Sequence, residues 1–73
     1  MQTIYVYLLN EGTDVWRPVD AEQVSGNRYR IVSTNIDPDD EQWQFNTGDV
    51  VTTELRVLSG GPCLVAVATE SNA

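Results

Sequence analysis

A small all-β domain, a five-stranded antiparallel barrel or rolled sheet, is what three features of this chain predict. Apolar and aromatic residues alternate with period two in several short runs, which is the signature of a strand with one face covered. Clusters of Gly, Asn, Asp, Ser and Pro separate those runs, and two of the clusters are tight enough to join antiparallel neighbours directly. At 73 residues the chain makes one domain, assigned to residues 1–70 with a polar tail at 71–73. A flat sheet of five strands would leave two open edges, so closure of the sheet on itself is expected.

The first strand is read at residues 3–9, where Ile4, Val6 and Leu8 share one face and Tyr5, Tyr7 and Leu9 the other. Both faces are apolar enough to be covered, which makes this a central strand with its Tyr hydroxyls reaching solvent or a partner. Asn10, Glu11, Gly12, Thr13 and Asp14 form a loop, because Gly supplies positive φ and Asn and Asp satisfy their own backbone locally. The second strand follows at residues 15–24. Pro18 lacks an amide hydrogen for the ladder, so it marks an edge or a bulge. If Val19 and Ala21 face inward, Trp16 lies out of phase with them on the outer or rim side.

Ser25, Gly26 and Asn27 make a tight turn into a third strand at residues 28–33, where Tyr29 and Ile31 alternate with Arg28 and Arg30. Tyr29 is in phase with Ile31 and is assigned to the core. Residues 34–47 break the pattern. Asp37, Pro38, Asp39, Asp40 and Glu41 can make a single helical turn with Asp37 capping and Pro38 at the first position. Trp43 and Phe45 then alternate with polar residues, and a short strand at 43–45 would bring both rings back onto the body of the protein. Asn46, Thr47, Gly48 and Asp49 turn into a fourth strand at residues 50–58, whose Val51, Thr53, Leu55 and Val57 are expected on its buried face. Ser59, Gly60, Gly61 and Pro62 close a hairpin into a fifth strand at residues 63–69, an aliphatic run read as deeply buried, and the chain from Glu70 onward is read as frayed.

Residues 15–31, with Trp16 near the strand start, small or aliphatic residues at alternating positions, a Gly turn at Gly26 and an aromatic-aliphatic strand, resemble the second and third strands of SH3-like and Tudor-like barrels. The Gly48, Asp49, Val50, Val51 stretch is similar to a turn used to enter a strand in such barrels. The resemblance covers about two-thirds of the chain and implies a superfold that hosts many functions, so it names no ligand. It also implies a groove or cage lined with aromatics from the loop before the second strand and from the long loop, and Trp16 matches the first of these positions.

The side-chain inventory bears on function directly. With no histidine, no lysine and one cysteine, the chain lacks most groups that titrate or attack near neutral pH. A serine nucleophile has no imidazole to activate it, and a chain this small has no deep cleft in which to raise a carboxylate pKa, so no enzymatic activity is expected. No cofactor is expected, and no metal: a calcium loop starting at Asp37 would need Gly at its sixth position and Glu at its twelfth, where Gln42 and Gly48 stand. Cys63 cannot close an intramolecular bridge, has no cation or helix N-terminus beside it in sequence, and reads as a small buried hydrophobe.

Eleven acidic residues against four arginines give a net charge of −7, which repels phosphate backbones and excludes ordinary nucleic-acid binding. No segment reads as a signal peptide, and the run from Ile4 to Leu9 is too short to span a bilayer, so a cytoplasmic protein with no membrane partner is expected. The expected function is a protein-interaction module. Trp16, Trp43 and Phe45 line its groove beside Asp39 and Glu41, and its partner is a protein or peptide, a basic one fitting the field best. Two other readings remain: a structural subunit that pairs with a second copy as a homodimer or larger assembly, and an acidic mimic of nucleic acid directed at a basic protein.

Overall fold

The computed structural model describes residues 1–36, 38–58 and 60–69, so the capping role read at Asp37, the turn residue Ser59 and the tail from residue 70 lie outside the described residues. It is all-β, with strands β1 (Gln2–Leu9), β2 (Trp16–Ser25), β3 (Arg28–Ile31), β4 (Gln42–Trp43), β5 (Val50–Leu58) and β6 (Gly61–Thr69). Five of these close into a ring in which β1 pairs with β2, β2 with β3, β3 with β5, β5 with β6, and β6 again with β1.

That closure corrects the all-antiparallel expectation at one seam. Each strand runs opposite to its predecessor around an odd-numbered ring, so the first and last point the same way and their contact has to be parallel. β6 does meet β1 in parallel, and the register there consists of the single pair Tyr5 and Val65. β4 adds to β1 further along, setting Trp43 opposite Leu8 and Gln42 opposite Leu9. It lies on the side of β1 away from β2, since Tyr7 O accepts from Gln44 N at 2.9 Å while Leu8 N donates to Val15 O at 2.9 Å.

Alternation explains the core. Ile4, Val6 and Leu8 from β1, Val19 and Ala21 from β2, Tyr29 and Ile31 from β3 and Val51 from β5 are buried together, and Val15 and Leu64 pack against them. Burying aliphatic side chains of this kind contributes roughly 1.5–3 kcal/mol each. Pro18 sits opposite Tyr5 in the half of β2 that has no β3 partner, since the β2–β3 register begins at Ala21, so its missing amide hydrogen falls on an open edge. Gly26 adopts φ +50° in the turn between β2 and β3, a conformation that side chains with a Cβ resist. The Gly48 turn is tied to β3 by Gly48 N donating to Ile31 O at 2.8 Å, and Asp49 Oδ2 caps it by accepting from Asn46 N at 2.8 Å.

Three expectations about burial change. Leu55 and Val57 are 67% and 80% exposed, because β3 ends alongside Thr52 and the far half of β5 runs on beyond it. The aliphatic run of β6 is buried only at Val65 and Ala66, while Cys63, Leu64 and Val67 are half-buried. Pro38, Asp39 and Asp40 form a turn, with no helix assigned among the described residues.

Candidate functional site

The outward face of β1 carries Tyr5 and Tyr7, and the β1–β2 register places Trp16 directly opposite Tyr7. Directly paired residues in an antiparallel ladder share a face, so the indole stands outside beside the phenol. The rings meet edge to face at 5.2 Å between centroids with 70° between their planes, an arrangement favoured by the aromatic quadrupole. Asn10, at φ 61°, and the loop after it return the chain so that Asp14 comes beside the pair, where its Oδ1 accepts a hydrogen bond from the Tyr7 hydroxyl at 3.0 Å. That hydrogen bond, together with the negative charge of Asp14 and some loss of solvent, holds the Tyr7 phenol above its ordinary pKa of 10.0.

Clefts lie on both sides of Trp16. The first, of about 400 Å³, is formed by Tyr5, Asp14, Val15, Leu58 and Cys63 with the indole as one wall. Asp14 is the one charged residue among the described residues of its lining. The second, of about 350 Å³, is bounded by Tyr7, Gln44, Arg56 and Val67 and shares Trp16 and Asp14 with the first. These are open surface clefts at the small end of the ligand-pocket range, suited to one or two side chains of a peptide rather than to an enclosed small molecule. Cys63 is half-buried on the wall of the first cleft, with its thiol directed to Gly61 O at 3.3 Å, rather than sealed in the core.

The expected groove residues separate. Trp16 is half-buried on the outer face, the side its phase implied. Trp43 and Phe45 are each only 7% exposed and belong to the core, with Trp43 reaching the surface at the wall of a hollow beside Arg17 and Pro18. The cause is register: Trp43 pairs with Leu8, whose side chain points inward, and Phe45, two residues on, keeps the same phase. Glu41 is already engaged. Its carboxylate takes both Arg17 Nε, at 2.9 Å, and Arg17 Nη2, and it also accepts from the Trp43 indole nitrogen at 3.2 Å. It therefore staples the long loop to β2 and locks Trp43 in place. Asp39 is exposed on the 38–40 turn, away from the clefts beside Trp16. A smaller hollow of about 270 Å³ lies between Arg17, Pro18, Asn35, Ile36 and Trp43, with the Arg17–Glu41 pair on its wall.

Tyr5, Tyr7 and Asp14 were the residues the groove reading passed over. Their signal was present in the outward phase of Tyr5 and Tyr7 on a central strand, but the partner ring came from the register of β2 against β1. Among the described residues there is no cluster of three or more metal-ligating side chains, and no helix is long and apolar enough to cross a membrane. Comparison with protein-family models, with curated proteins and with solved structures finds no match to this chain.

Proposed function

We propose that this chain is a small binding module without catalytic activity, an SH3-like barrel that holds a protein or peptide segment across the Trp16 clefts. The observation that carries the reading is the outward trio of Tyr5, Tyr7 and Trp16 around Asp14, the carboxylate that both clefts share. Aromatic faces take proline rings or cations, and a carboxylate beside them favours a cation over an anion. The ligand segment is therefore one that carries proline or a basic side chain. The field of the whole molecule supports the same polarity. Arg17, Arg30 and Arg56 are paired with Glu41, Glu22 and Glu54, so acidic residues dominate what an approaching partner meets. A cytoplasmic compartment goes with the free thiol of Cys63.

The test is to titrate the protein with short proline-rich peptides carrying arginine, reading backbone amide shifts residue by residue. Shifts should cluster at Tyr5, Tyr7, Asp14 and Trp16 and should vanish in Trp16→Ala with the fold intact. Shifts confined to other faces, or none with any peptide of the series, would refute the assignment.

A further inference from the structure

Among the described residues, no strand stands beside the β5 edge along the arm formed by the far half of the β5–β6 hairpin. Beside β5, the register with β3 stops at Arg28 opposite Thr52, and the last bond across that side is Thr53 N to Asn27 O at 2.8 Å. Beyond Thr53, β5 continues to Leu58 paired only to β6. Thr53 O also accepts from the Asn27 side chain, at 3.4 Å, so both backbone groups of Thr53 point toward the β3 side. Strand alternation sends the amides and carbonyls of Leu55 and Val57 the same way, into a space where no described strand stands. Their side chains are the 67% and 80% exposed apolar groups noted above. They lie opposite Leu64 and Pro62 on β6, so the arm presents an apolar face next to its open edge.

We infer that this edge pairs with the same edge of a second copy of the chain, joining two sheets through antiparallel β5 strands about a two-fold axis at Arg56. In that register Leu55 of each copy faces Val57 of the other, and each such pair exchanges the backbone bonds that both residues now direct at solvent. Leu55 and Val57 of both copies come together on one face and cover one another. The charge pattern argues for a second copy over an unrelated strand. Glu54 and Arg56 share the opposite face and are bonded within one chain at 3.2 Å. Across the axis the two Arg56 side chains stand directly opposite, a contact that repels by itself, and each is also the diagonal neighbour of the other copy's Glu54, so every guanidinium meets one carboxylate of its own chain and one of its partner. A domain of this size also gains disproportionately from added burial, since its own core covers only about 60% of the unfolded chain's surface.

The experiment is sedimentation equilibrium of the full chain over a wide concentration range, comparing wild type with Val57→Pro and Arg56→Glu. The Val57 amide points to the open edge, so proline there leaves the β5–β6 ladder intact and removes a donor needed only between copies. The wild type should dimerise and both variants should dimerise about tenfold or more weakly, with unchanged circular dichroism. Arg56→Glu keeps every backbone group, so it decides the matter if Val57→Pro fails to fold. A spin label on Cys63, which lies opposite Arg56 in the hairpin, should report a second label whose attachment carbon is about 14 Å away, three strand spacings across the joined sheets. A wild type that stays monomeric at every concentration, or Arg56→Glu dimerising as tightly as wild type, would overturn the proposal. Trp16→Ala removes no group of the β5 edge and should leave dimerisation unchanged.

Discussion

The two tryptophans of this chain answer to the same strand and end on opposite sides of it. Trp16 pairs with Tyr7 of β1 and Trp43 with Leu8, the next residue. Because successive side chains on a strand point to opposite faces, that one-residue difference puts one indole beside solvent and the other in the core. The polar atoms follow suit. The Trp43 nitrogen donates to Glu41, which is tied down in turn by Arg17, whereas Trp16 packs edge to face on Tyr7 and forms a wall of two clefts. In a ring of strands, then, what an aromatic residue does is fixed by which residue it is set against, and its surroundings in sequence say little.

Truncating the two rings should break the symmetry most visibly. Trp43→Ala removes a buried aromatic and leaves a cavity, a change that costs about 3–5 kcal/mol. A single core of this size supplies roughly that much in total, so the variant should be largely unfolded by circular dichroism at room temperature. Trp16→Ala should cost about 1 kcal/mol, mainly the edge-to-face pair with Tyr7, and should keep a cooperative urea transition with a lower midpoint. If the two variants unfolded alike, the division of roles would be wrong.

A smaller effect should come from Glu41→Gln, which keeps an acceptor for the indole but removes the charge facing Arg17. As a partly exposed pair it should contribute no more than about 1 kcal/mol, and the loss should shrink in high salt. The sharper readout is fluorescence. Acrylamide should quench Trp16 readily and Trp43 poorly in the wild type, and freeing the loop should raise the quenching of Trp43.

The smallest effect is a titration. The Tyr7 phenol is held above its ordinary value of 10.0 by Asp14, so the folded protein keeps that proton to higher pH than the unfolded chain does. The stability this adds is fully present below the unfolded value and is lost as pH rises through the folded one. Absorbance of ionised tyrosine should show Tyr7 titrating later than in Asp14→Asn. An unchanged curve in that variant would mean the hydrogen bond does not persist in solution.

Much of the framework was legible beforehand. Ile4, Val6 and Leu8 announced an inward face, Tyr29 and Ile31 another, and Gly26 and Gly48 marked turns that occur where expected. Pro18 correctly signalled an open edge because its chemistry is local. The aliphatic pattern misled at Leu55 and Val57, which alternate in phase with buried Val51 and Thr53 yet project past the end of β3. Periodicity reports which side of a strand a residue takes, and it carries no information about whether another strand is present on that side.

The candidate site divides along the same line. Trp16 was recoverable from its phase against Val19 and Ala21, both of which are buried. Trp43, Phe45 and Glu41 were misplaced, since an acidic aromatic loop looks the same in sequence whether its rings face out or are drawn into the ring of strands by two backbone pairs to β1.

Taken alone, the sequence determined where the long strands and their turns lie and the two faces of β1, β2 and β3, because alternation, glycine conformations and the missing proline amide act within a few residues. Tertiary structure decided which indole was buried, where the ring closed in parallel and how far the β5–β6 arm extended. Those outcomes depend on the register between strands far apart in the chain, and shifting a register by one residue exchanges every inward side chain for an outward one.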